Sequence, residues 1–158
     1  MDAPVENMLA GYKSRTEGKT LRYFYIICLV FLVLSGFGQM PVFKRYYIAD
    51  IPGFGWLAKF YITHIIHYLA ASALIGILSY QLSVYLLIFR KAYKPDIWSQ
   101  LRAGLLAGLV MTGNFLVIKN FSSVNFSPEF IIFLDLSHLC MTMLLLFSGL
   151  LSIIVKKR

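Results

Sequence analysis

Residues 56–89 read WLAKFYITHIIHYLAASALIGILSYQLSVYLLIF, and past Lys59 the stretch holds no Asp, Glu, Lys or Arg. About 20 largely apolar residues suffice for a helix to cross a bilayer, so this run predicts a transmembrane helix long enough to tilt or to project. Three more runs qualify at 23–43, 101–118 and 130–155. Pieces rich in turn residues separate them: Asp50-Ile51-Pro52-Gly53, Lys94-Pro95-Asp96, and Ser122 to Pro128. The expectation is an all-α integral membrane four-helix bundle: a tail over 1–22, then one four-span domain over 23–158.

Composition agrees. Only 14% of the 158 residues are charged and 59% are hydrophobic, against about 25% charged in a soluble domain; the mean hydropathy is +0.73. The net charge of +8 does not indicate nucleic acid, because the basic residues sit at the ends of the apolar runs, where they set topology and meet lipid phosphate. Lys13, Arg15, Lys19, Arg22, Arg90, Lys91, Lys94, Arg102, Lys156, Lys157 and Arg158 fall on one side of a four-span chain; Lys44, Arg45, Lys59 and Lys119 fall on the other. The richer side is expected to be cytoplasmic, with both termini there. Tyr46, Tyr47, Trp56, Tyr61, Tyr93 and Trp98 suit interfacial belts. The first run follows a polar tail and lacks a small-x-small cleavage pattern, so it reads as a retained helix rather than a signal peptide. Cys28 and Cys140 fall at different depths and are expected to stay unpaired. Gly104 and Gly108 form a GxxxG pair, and Ala70 to Ala73 a small patch, both suited to close helix approach. No internal repeat is evident.

The chemistry-bearing residues are the three histidines, His64, His67 and His138, all inside predicted spans, where an ionisable group is a functional candidate. His67 lies eight residues inward from Lys59, and His138 nine inward from Glu129, roughly 12 and 14 Å at helical rise. Two imidazoles at nearly one level suit bis-histidine ligation of a b-type haem. His64, five residues in, is the alternative to His67. Ala70, Ala71 and Leu74 follow His67 on its face, and small neighbours leave room for a porphyrin. Lys59 and Lys119 are candidates for propionate contact, and Asp135, one turn from His138, for a propionate, an imidazole or a proton. His64, Asp135 and Asn114 are candidates for a quinone contact, and Tyr80 and Gln81 lie deeper. There is no HExxH, P-loop, nucleophile elbow or zinc spacing. Few buried polar groups and unbroken helices argue against a transporter or channel.

The pattern resembles the membrane cytochrome b subunits of respiratory formate dehydrogenases, nickel-iron hydrogenases and thiosulfate reductases. Arg22-Tyr-Phe-Tyr25 with Leu34-Ser-Gly36 is similar to the family's R-x-x-H and Leu-Ser/Thr-Gly run, and His64-Ile-Ile-His67-Tyr-Leu-Ala-Ala to its histidine followed by small residues; His138 stands on the last span. Where two-haem members carry their inner ligands, this chain has Tyr25 and Ser152. The resemblance implies a one-haem variant that keeps the outer haem b, sits in a prokaryotic cytoplasmic membrane, and passes electrons between an extracytoplasmic redox partner and menaquinone or ubiquinone. With almost no extramembrane mass, it implies iron-sulfur or multihaem cytochrome partner subunits. The competing expectation is a haem-free anchor or assembly subunit whose histidines only bond neighbouring helices.

Overall fold

The computed structural model of the protein describes residues 19–40, 50–90 and 95–156. Lys13, Arg15, Lys44, Arg45, Tyr46, Tyr47, Lys91, Tyr93, Lys94, Lys157 and Arg158 lie outside these, as does most of the expected 1–22 tail. The fold is all-α, with four long apolar helices: α1 (Lys19–Gly38), α2 (Phe60–Val84), α3 (Ile97–Ile118) and α4 (Pro128–Lys156). All four are long and apolar enough to cross a membrane, which makes this a multi-pass membrane protein in contact with lipid. Large apolar side chains point outward, Tyr61 at 81% and Leu87 at 84% exposure among them.

The chain divides into two compact units, Met1–Ala92 and Tyr93–Arg158, and within each the two helices run antiparallel. In the first, Ser35 of α1 meets His67 of α2, and Gln39, one turn on, meets His64. In the second, Arg102 and Thr112 of α3, and Lys119 just past its end, meet Ser148, His138 and Asp135 of α4 in that order.

Local chemistry sets the helix ends. α1 stops at Gly38, earlier than its apolar run, because the chain turns there under a short 3-10 segment, Gly55–Ala58. A Cβ on Gly38 would lie 3.0 Å from Leu57 and 3.2 Å from Thr63, so any larger residue would push these side chains aside. Leu57 is 1% exposed beneath it. Gly53, at φ 89°, supplies the left-handed turn residue that brings the chain back. Trp56 therefore sits in this turn, and α2 begins at Phe60. α2 runs without a break into one π turn, Tyr85–Phe89. α3 starts at Ile97, before Leu101, because Asp96 is extended at ψ 164° and serves as N-cap residue. α4 starts on Pro128, whose missing N–H costs nothing in a first turn. The Ser127 hydroxyl accepts from the Phe130 N–H at 3.3 Å, and Glu129 lies in the same turn.

The interior of each hairpin is small and hydroxylic. Ser35 and Thr63 are fully buried; Thr112 and Ser148 nearly so, beside Cys28, Ala70, Leu74 and Leu134. Lipid tails are as apolar as leucine, so helices in a bilayer gain by close packing of small residues. Each of the four hydroxyls bonds a carbonyl three or four residues back, which satisfies it without water. The GxxxG pair contributes through one glycine only: a Cβ on Gly108 would fall 2.6 Å from the Met141 sulfur, whereas one on Gly104 would meet nothing within 4 Å. Both cysteines are free thiols.

Candidate functional site

Each hairpin holds one imidazole against one hydroxyl. In the first, His67 Nδ1 lies 3.0 Å from Ser35 Oγ. In the second, His138 Nδ1 lies 2.9 Å from Thr112 Oγ1. The hydroxyl residue stands on the earlier helix and the histidine on the later one in both. A glycine follows each hydroxyl residue, Gly36 or Gly113, and a Cβ at either would lie 3.5 Å from the Cε1 of its histidine. The imidazole edge thus rests on bare backbone in both hairpins. Both rings are half-buried.

The correspondence extends one turn further. Three residues before His67 stands His64, whose Nδ1 lies 3.0 Å from Gln39 Oε1. Three residues before His138 stands Asp135, whose carboxylate lies 3.6 Å from Lys119 Nζ. The residue four before each histidine is buried: Thr63 at 0% and Leu134 at 3% exposure. Each hairpin thus sets a hydroxyl–imidazole contact beside a polar pair one turn away on the histidine's helix, the pair's other member standing four residues after Ser35 but seven after Thr112. The shared contact's trace in the sequence is a hydroxyl residue followed by glycine, Ser35-Gly36 and Thr112-Gly113.

His64 and His67 differ in surroundings. The His64 ring stacks on Phe60 at 5.2 Å between centroids, tilts over Tyr68 at 4.3 Å, and bonds Gln39. It is held from three sides, and its counterpart in the other hairpin is Asp135, not His138. Lys119 is one-quarter exposed and Asp135 more than half, so their pair is worth at most about 1 kcal/mol. Lys59 is exposed at the start of α2. Asn114 is exposed on α3 and bonds no side chain among the described residues. Ser152 bonds its own helix at the Gly149 carbonyl, 2.7 Å away. Tyr80 and Gln81 are exposed on α2.

At the other end of the second hairpin, the Arg102 guanidinium donates to the Ser148 carbonyl at 3.0 Å while its Nε stays buried without a partner. Near the turn joining α3 and α4, Phe115, Phe126 and Phe130 close together in edge-to-face contacts.

Among the described residues no three His, Cys, Asp or Glu side chains gather in a way that could hold a metal ion. A metal taken by His67 or His138 would need most of its ligands from elsewhere, as iron in a porphyrin does. The donor set fits such a group: one imidazole per hairpin, each oriented by a hydrogen bond and flanked by glycine. Comparison with protein-family models, with curated proteins and with solved structures gives no match to this chain.

Proposed function

We propose that the chain is the membrane cytochrome b subunit of a respiratory redox complex, with His67 and His138 as the two axial ligands of one b-type haem. The observation that carries this reading is the duplicated hydroxyl–imidazole pair. Two hairpins that each hold one histidine in the same local setting suit a group that takes one nitrogen on each face. The same correspondence favours His67 over His64, because His64 aligns with Asp135. Bound there, the haem would supply one-electron chemistry. The protein ligates it, keeps it from water and orients it.

Lys59, Lys119 and Asp135 lie outward of the ligand tier, where Lys59 and Lys119 can neutralise propionates and Asp135 holds Lys119 in place. Quinone would be met at His64, Asp135 or Asn114. With the basic-rich ends on the cytoplasmic side, the haem lies towards the opposite face of a prokaryotic cytoplasmic membrane. Electrons then pass between the quinone pool and an extracytoplasmic partner with iron-sulfur or multihaem centres. The short motifs at Arg22–Tyr25, Leu34–Gly36 and His64–Ala71, which resemble those of such subunits, are in keeping with this reading.

A second reading has its own support. Each histidine is already bonded within its hairpin, and such bonds are all that a haem-free anchor or assembly subunit would require of them. The reduced-minus-oxidised spectrum of the purified protein separates the two. A b-type α band lost in His67→Ala and in His138→Ala, but kept in His64→Ala, supports the cytochrome. A colourless, well-folded wild type supports the anchor.

A further inference from the structure

We propose that His64 is a hydrogen-bond acceptor for the hydroxyl of a membrane-dissolved hydroquinone, so that the first hairpin binds the reduced quinol in preference to the oxidised quinone. The choice of ligand rests on the quinone-linked reading above. The geometry uses residues of the first hairpin alone and needs no haem.

The donor and acceptor roles follow from a run of contacts that starts on the backbone. A glutamine amide has one end that donates and one that accepts. Gln39 Nε2 donates to the Ser35 carbonyl at 3.3 Å, and a carbonyl has no proton to give. Oε1 is therefore the end that faces His64, 3.0 Å from its Nδ1. Because an amide oxygen only accepts, the proton in this contact belongs to the imidazole, and Nδ1–H donates to Gln39. The Gln39 backbone N–H also donates to the Ser35 carbonyl, at 3.2 Å, which fixes the residue just past the end of α1. In the neutral ring the lone pair then lies on Nε2.

The other sides of the ring are occupied. Phe60, four residues before, stacks on it at 5.2 Å between centroids, and Tyr68, four after, tilts over it at 4.3 Å. Nε2, on the edge turned from Gln39, has no hydrogen-bond partner among the described residues, and the ring is half-buried.

A lone pair between aromatic rings, on a helix that can span the bilayer, suits a molecule with an O–H and a flat apolar body. A quinol has both. A quinone has the body, but its oxygens are carbonyls that only accept, so acceptor would meet acceptor at Nε2. The two redox forms therefore differ by a hydrogen bond made or a polar group left unpaired, which favours the quinol about tenfold or more. Asn114, the other neutral candidate for quinone contact, offers a donor as well as an acceptor and would not tell the forms apart.

The full-length protein in detergent, without haem, carries the test. ¹⁵N-histidine NMR on the neutral rings is expected to show His64 as Nδ1–H, and Gln39→Ala to turn it into a tautomer mixture. Equilibrium binding of decylubiquinol, kept reduced under argon, is then compared with that of decylubiquinone. The wild type is expected to bind the quinol about tenfold more tightly or more. His64→Phe, which keeps an aromatic ring between Phe60 and Tyr68, is expected to bind both forms alike. Tyr68→Phe is expected to keep the preference. Equal binding, a preference for the quinone, or binding of neither form by the wild type overturns the proposal, whether or not His64→Phe folds. So does an Nε2–H tautomer in the wild type, or a preference that survives in a folded His64→Phe. A quinol preference in a protein that never takes up haem leaves this site standing and defeats the cytochrome reading; a haem-loaded protein that binds both forms alike does the reverse.

Discussion

The glycines under the two imidazoles allow a graded test. An alanine Cβ at 36 or 113 would lie 3.5 Å from the histidine Cε1, an ordinary contact. Alanine in a helix interior is favoured over glycine by about 1 kcal/mol. Gly36→Ala and Gly113→Ala should therefore keep the site and leave stability equal or slightly higher. Valine differs. Its γ carbons extend about 1.5 Å beyond Cβ, and its side chain is stiff in a helix. Aimed at the ring, such a carbon would come within about 2 Å of Cε1, against the roughly 3.5–4.0 Å that carbon atoms accept. The imidazole must retreat by about 1.5 Å to restore that separation. That breaks bonds of 3.0 and 2.9 Å to Ser35 and Thr112 and leaves a polar group unpaired, at about 1–3 kcal/mol. Haem retention should fall about 10- to 100-fold. Gly76→Val and Gly104→Val are the controls, since a Cβ at either meets nothing within 4 Å. The assay is haem per protein by absorption, with the melting temperature of each variant. Valine at 36 or 113 retaining as much haem as the controls would refute the reasoning, as would alanine losing as much as valine.

Gly104→Ala should be neutral or stabilising by up to about 1 kcal/mol; Gly108→Ala should gain less, because the Met141 sulfur must swing away, and Gly108→Ala with Met141→Ala should recover the difference in thermal melts. Asp96, just before α3, is held below the usual aspartate range chiefly by the Ser99 hydroxyl. A lowered carboxylate stabilises the fold above its unfolded pKa and loses that contribution as pH falls through the folded one, so Ser99→Ala should raise the Asp96 midpoint in an NMR titration and lessen that acid-side dependence, the backbone N–H bonds keeping the rest. Reporter fusions after Arg158 and within residues 122–127 should read cytoplasmic and extracytoplasmic respectively, and the reverse pattern would invert the proposed side of the haem.

The four spans were legible in the sequence because length without charge is a sufficient signal in a bilayer. Helix ends were less so. Trp56 to Lys59 reads as the start of a helix, yet a glycine turn and the crowding of Gly38 against Leu57 make it a 3-10 segment. The histidines stood out because ionisable residues in spans are rare. Their hydroxyl partners did not, since Ser35 lies 32 positions before His67 and Thr112 lies 26 before His138, and no local periodicity links residues so far apart. The unequal spacing also hid the repeat. Once the helices are paired, Ser-Gly and Thr-Gly become matching halves. Gly104 and Gly108 look alike in sequence, but only Gly108 faces its partner helix, and that depends on helix rotation.

Bis-histidine ligation is tested most directly by a density map of the purified, membrane-extracted protein. It should show a flat macrocycle whose iron is held by Nε2 of His67 on one face and Nε2 of His138 on the other. Side chains or lipid packed against both Nε2 atoms, with no macrocycle, would contradict it and leave a four-span membrane protein without a haem.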